Sequence, residues 1–251
     1  MVGKTLSKLA NPALFMRVTD PIVPVSGFLA LGLIVAGTIM AFFFSPPDYK
    51  QGESVRIMYV HVPAAWLALQ TYAIIAVSSL VGFVWRHRLA DIIAKVSAPI
   101  GLAFTVLALF TGALWGKVTW GVYWDWDPRL TSMLVLAFIY AGYIALWAAI
   151  ENEATAARIC ALLAMLGAVN LPIIKFSVDW WDSLHQKAAV VREGGPSIPA
   201  SMLWPLFLMA LGYVALSVFY TLVRTRADLR RRQSRPEAKA APSAAVMEPA
   251  E

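Results

Sequence analysis

Six apolar runs, each eighteen to twenty-three residues long, divide this chain: 24–44, 64–85, 96–114, 128–150, 159–176 and 201–223. A helix rises about 1.5 Å per residue, so runs of this length reach about 30 Å, the thickness of a bilayer's hydrocarbon core. The pattern predicts an all-α integral membrane protein with six transmembrane helices. Charge content agrees, at 14% of residues against about 25% in soluble domains. The first run is too long for a signal-peptide core and lacks a clear small-residue cleavage site, so it reads as a retained span.

The connections carry the local detail. Residues 1–20 are basic and modestly amphipathic (Lys4, Lys8, Arg17), the pattern of a short interfacial helix. Asp127-Pro128 reads as a helix start, with Asp as the cap and Pro at the first helical position. Asn170 and Pro172 predict a kink in the fifth run, and Lys175 is expected to snorkel to an interface. The chain divides into an N-terminal segment (1–20), a six-span membrane domain (21–223) and a basic tail (224–251). The tail's Ala/Pro/Glu-rich end has the composition of disorder.

Six spans place both termini on one side. That side holds fourteen Lys and Arg against seven opposite, half of the fourteen in the tail. The positive-inside rule therefore favours cytoplasmic termini. The connections 46–61, 115–129 and 179–200 then face outward, with eight of the ten Trp at or near that face. An aromatic belt would populate both interfaces, so this asymmetry describes a platform on one face.

Its centre is Trp120-Gly121-Val-Tyr-Trp124-Asp-Trp126-Asp127-Pro-Arg129-Leu-Thr131. Trp115 precedes it, and Trp180 and Trp181 join it from the next outward loop. Two of the three His, His61 and His185, lie on the same face, each near a span end. Imidazole is the commonest metal ligand, and two of them flanking a flat ring among Trp faces would suit a haem with axial His ligands. Arg56 and Arg129, on that face, are candidate partners for its propionates. A His at a span end is more often an interfacial polar residue, so spacing alone leaves ligation open. His87, between two Arg at the inner face, reads as solvated. One cysteine, Cys160, excludes disulfide and CxxC chemistry within one chain. No Ser/His/Asp order, phosphate-binding Gly loop or HExxH pattern is present, so a carrier is expected and not an enzyme.

The Trp120–Thr131 segment resembles the tryptophan-rich WWD signature of the haem-handling proteins of cytochrome c biogenesis. Met58-Tyr-Val-His61-Val-Pro63, Asn170-Leu-Pro-Ile-Ile174 and Trp180-Trp181-x-x-Leu184-His185-Gln186 narrow the resemblance to the CcmC family, across residues 20–223. The resemblance implies a multi-pass protein of the bacterial inner membrane that holds haem b at the periplasmic face, with His61 and His185 as axial ligands. It implies Trp120, Gly121, Trp124, Trp126, Asp127 and Arg129 as the platform. It further implies delivery of haem to the chaperone CcmE, alongside the ABC-type subunits CcmA and CcmB and the small CcmD. Tyr123 and Asp125 depart from the family pattern. The competing classes are weaker. A b-type electron-transfer subunit usually needs haems at two depths, a haem permease needs ionisable residues along its path, and a cytochrome synthase needs more chain.

Overall fold

A computed structural model describes residues 11–187, 189–190 and 192–234. Lys4, Lys8 and the 235–251 end of the tail lie outside the described residues. Eight α-helices build the described chain: α1 Pro12–Thr19, α2 Ile22–Ile39, α3 Met58–Trp85, α4 Arg88–Trp120, α5 Pro128–Ala149, α6 Glu153–Gly167, α7 Asn170–Trp180 and α8 Ala200–Ser234. A π-helical turn, Met40–Phe44, extends α2, and a 3-10 turn, Glu53–Ile57, leads into α3. Six stretches are long and apolar enough to cross a membrane, with α6 and α7 together forming the fifth. The six-span, all-helical expectation holds.

Boundaries moved where local chemistry outweighed hydropathy. Asp127 caps α5 as expected, its Oδ1 accepting from the N–H groups of Arg129 at 2.8 Å and Leu130 at 3.3 Å. The second span starts six residues earlier than the apolar run, at Met58, so His61 sits inside a helix and not on a loop. The fifth span breaks at Ala168–Val169, ahead of Pro172. Pro172 falls in the first turn of α7, where a missing N–H has no intrahelical role. Buried Asn170 closes this joint by donating to the Ser132 carbonyl at 2.8 Å.

The basic tail expected from residue 224 is helical as far as Ser234, continuing α8 beyond the apolar run. Arg, Leu, Ala and Gln are good helix formers. Arg232 pairs with Asp228 one turn back, and Leu229 packs on Leu89, Ile92 and Val96 of α4. Burial of Leu229 and ion pairing thus carry the helix beyond its apolar part.

Tyr59, Tyr72, Tyr140 and Tyr143 are buried in the bundle's interior. Tyr140 donates to the Ala68 carbonyl at 2.8 Å and meets Tyr72 edge-on at 5.1 Å. α3 packs along α4 and α2 along α8, and α8 in turn lies on α3 and α4. Phe28, Phe43, Phe110 and Phe138 stay exposed on the outside, as a lipid-facing surface requires. Alternating spans bring 45–52, 121–127 and the described residues between 181 and 199 to one end of the bundle. The start of α1, the α3–α4 turn, the α5–α6 turn and the end of α8 gather at the other.

Candidate functional site

Two imidazoles anchor the site, and each turns the same ring nitrogen toward a protein oxygen. His61 lies in the first turns of α3. Its Nδ1 is 3.0 Å from the Ala108 carbonyl and 3.1 Å from Thr111 Oγ1, both on α4. Thr111 already donates to the Leu107 carbonyl, so its oxygen is an acceptor for the imidazole. Both partners therefore call for the proton on Nδ1. The ring fits only because residue 112 is glycine: a Cβ there would sit 2.9 Å from His61 Cε1. Trp115, one turn on, meets His61 edge-on at 5.7 Å and donates from Nε1 to Gln51 Oε1 at 2.7 Å. That bond ties the 45–52 connection to the wall beside the histidine.

His185 comes from the connection after α7. Its Nδ1 lies 3.3 Å from Asp127 Oδ1, a close electrostatic contact without the alignment of a hydrogen bond. Trp120, the last residue of α4, stands edge-on to His185 with ring centroids 4.8 Å apart. Gly116 gives that indole its room, since a Cβ there would meet Trp120 at 3.0 Å. Gly121 ends α4 in the left-handed region, φ +81°, where a side chain would be strained. Its role is to turn the chain and to accept from Lys117 Nζ at 2.9 Å.

Asp127 links the two halves. Beyond capping α5, its Oδ2 accepts from the Leu184 N–H at 2.9 Å, which pins the loop carrying His185. Burial by itself would raise this carboxyl. Hydrogen bonds from Ser183 and from the N–H groups of Arg129 and Leu184, with the nearby His185, outweigh burial and hold it below its ordinary value. Burial lowers the His185 pKa; Asp127 opposes that shift and Arg129 reinforces it. The two imidazoles and the Arg129 guanidinium lie within electrostatic reach of one another. Arg129 donates from Nη2 to the Lys175 carbonyl at 3.1 Å, while its Nε is buried with no hydrogen-bond partner.

The remaining expected residues stand outside this core. Trp124 and Trp126 contact each other at 5.6 Å, and Trp180 and Trp181 at 5.7 Å. Trp126 is 74% exposed, and Trp180 and Trp181 are exposed as well. They form an outer rim. Arg56 pairs with Glu53 and donates to the Ala41 and Phe42 carbonyls of the π-helical turn. Its first task is to fasten α2 to α3. His87, expected to be solvated, caps α4 at the opposite end and accepts from the Ala90 N–H at 3.2 Å.

Sequence reasoning missed Thr111, Gly112, Gly116, Gln51 and Ser183. The Gly112/Gly116 spacing, one turn apart just before an aromatic cluster, was the one available signal.

Two imidazoles cannot enclose a bare ion, which needs about four ligands. Among the described residues there is no cluster of three His, Cys, Asp or Glu to hold one. Two are enough for the axial positions of an iron already held in a macrocycle. None of the hydrogen bonds among the described residues engages Nε2 of either ring, and a ligating His commonly donates its other N–H to a carbonyl or carboxylate.

The family profile described as CcmC, heme exporter protein C, matches residues 5–240. The chain belongs to the CcmC family. It is 48% identical over 231 residues to the heme exporter protein C of Bradyrhizobium diazoefficiens, covering 92% of this chain and 88% of the relative. Against the protein of the same name in Escherichia coli K12 it is 42% identical, covering 89% and 90%. The Haemophilus influenzae relative, also named heme exporter protein C, is 41% identical and covers 94% and 97%. This CcmC-family chain therefore spans nearly the whole length of its relatives.

Proposed function

We propose that this chain holds haem b between His61 and His185 at the outer face of a bacterial inner membrane and passes it to the chaperone CcmE. It does so in cytochrome c maturation, within a complex containing CcmA, CcmB and CcmD. The observation that carries the reading is the paired orientation of the imidazoles. Both turn Nδ1 toward a protein oxygen, and no hydrogen bond among the described residues engages either Nε2. The relatives' name, heme exporter protein C, supports haem as the cargo.

Haem brings an iron whose four equatorial positions are already filled. The chain supplies the rest. Thr111 and Ala108 set the His61 tautomer, Asp127 restrains the loop of His185, and Trp115 and Trp120 provide apolar ring edges. Arg129 Nε lacks an acceptor, and a propionate carboxylate provides one. The exposed Trp126, Trp180 and Trp181 give the chaperone an apolar rim at which to take its cargo. The chain positions haem and does not react with it.

The test is to purify the chain in detergent, co-expressed with CcmE, as the native sequence and as His61→Ala/His185→Ala. The native protein is expected to show a Soret band and to load the chaperone. The double variant is expected to lose both. A haem-free native protein that still supports chaperone loading would place the haem site on a partner.

A further inference from the structure

The two imidazoles turn the same nitrogen toward the protein but are held in different ways. His61 stands in the first turns of α3, a helix of 28 residues packed along α4. Its Nδ1 is 3.0 Å from the Ala108 carbonyl and 3.1 Å from Thr111 Oγ1, so α4 holds the ring from adjacent turns. Gly112 packs directly on the ring, and Trp115 stands at its edge. To withdraw this imidazole the chain must displace a packed helix.

His185 belongs to no helix. Its Nδ1 has no hydrogen-bond partner, and Asp127 Oδ1, 3.3 Å away, acts on it through charge alone. The His185 N–H donates to Ser183 Oγ at 3.1 Å, a bond within its own turn. Among the described residues, the hydrogen bonds that tie 182–186 to other elements all end on one carboxylate. Asp127 accepts from the Leu184 N–H at 2.9 Å and from the Ser183 side chain. The ring itself meets Trp120 edge-on. A segment fixed by so few bonds opens at lower free energy than a packed helix.

The weakly held segment is also the one a partner can reach. Trp180 and Trp181, which lead into it, and Leu184, beside His185, are 56%, 52% and 46% exposed. His61 has no such handle, because its neighbours Val60 and Val62 pack on the bundle's core. We infer that His185 is the ligand that yields when haem is handed on, while His61 anchors the cargo until the chaperone has engaged, an inference that rests on the function proposed above. Contact with Trp180, Trp181 and Leu184 draws the segment away from Asp127. The bond between iron and His185 breaks with its electron pair returning to the imidazole, so no oxidant or reductant is consumed. The axial position this frees faces the chaperone, and the opposite one stays with His61. Docking and release are thus functions of one short segment.

Carbon monoxide can stand in for the incoming donor. On ferrous haem with two axial imidazoles it binds only after one of them has left. Diethyl pyrocarbonate acylates a free imidazole nitrogen, and peptide mass spectrometry shows which histidine carries the mark. In the unsubstituted, haem-loaded protein under carbon monoxide, His185 is expected to recover the reactivity it has in haem-free protein, and His61 to stay protected. Recovery at His61 alone, at both rings or at neither would overturn the order. Ser183→Ala gives a second reading, since it removes one of the bonds to Asp127 without touching a ligand. The limiting rate at saturating carbon monoxide is expected to rise several-fold while the starting spectrum stays low-spin; an unchanged rate would overturn the hold assigned to Asp127. An unsubstituted protein that binds no haem, or binds it without a low-spin spectrum, would overturn the proposed function and the order with it. Where that spectrum is present, a mark on His61 overturns the order alone.

Discussion

At the end away from the two site histidines, charged side chains hold the helices together. Arg226, 8% exposed, donates to the Met16 carbonyl and Thr19 and pairs with Asp20, fastening α8 to the segment containing α1. Arg232 reaches Glu153 of α6 and Asp228. Beneath them Leu89, Ile92, Val96 and Leu229 form a small apolar core of their own. At the histidine end the work falls to caps, carbonyls and missing side chains: one carboxylate, Asp127, serves three backbone N–H groups across two segments. Large aromatics stay uncovered there, Trp126 most of all. The first end is sealed by partners within the chain. The second leaves large aromatics uncovered, and its geometry depends on small residues and single hydrogen bonds.

Damage at the two ends should therefore read out differently. The largest effect is expected from Gly112→Val, which drives a branched side chain into the His61 ring. Haem retention should drop by about 10–100-fold or more, the usual cost of disturbing a ligand's supporting shell. Asp127→Ala comes next. It removes a helix cap worth about 1 kcal/mol and leaves the Leu184 N–H unpaired at about 1–3 kcal/mol. Melting in detergent should fall, and haem retention with it. Asp127→Asn, which preserves an oxygen cap, should restore most of the melting temperature and less of the retention. Native retention in Asp127→Ala would show that the loop of His185 is held by something else.

Arg226→Ala is the complementary experiment. It strands the Met16 carbonyl and Thr19, so stability should fall by about 1–3 kcal/mol while the haem spectrum stays native. A shifted spectrum would break the separation of the two ends. Acid should act first through the site. The folded pKa of His185 lies below its ordinary value of about 6.5, so an unfolded chain takes up this proton more readily than the native one. Stability from this group is present above pH 6.5 and declines as pH falls below it. Ligation should persist through pH 6.5, and a spectroscopic midpoint above that value would contradict the burial argument. The smallest effect belongs to Arg232→Ala, below about 1 kcal/mol because the pair is part-exposed.

Much of this was legible in the sequence because a bilayer imposes a long, simple signal. The six spans followed from apolar length, and the start of α5 from Asp127-Pro128, since a cap is a local interaction. The end of α8 was not legible from hydropathy. Leu229 is buried against α4, a contact about 130 residues distant in sequence, and the charges around it looked like a solvated tail. Arg56 read as a candidate propionate partner, and its partners in the fold are Glu53 and the carbonyls of a π-helical turn that no pattern announces. Likewise His61 and His185 could be placed on one face from topology, whereas the shared use of Nδ1 depends on Thr111 and Asp127 arriving from other elements. Side-chain type showed which residues could ligate. Only packing shows which ring nitrogen the protein itself engages.

Ligation by the two rings can be tested directly. His61→Gly and His185→Gly, prepared singly with haem bound, leave a cavity at each axial position. Each variant is expected to lose the low-spin spectrum of a bis-imidazole haem and to regain it when free imidazole is added. A low-spin spectrum that survives either substitution without added imidazole would contradict ligation by that residue, and with it the account of the site.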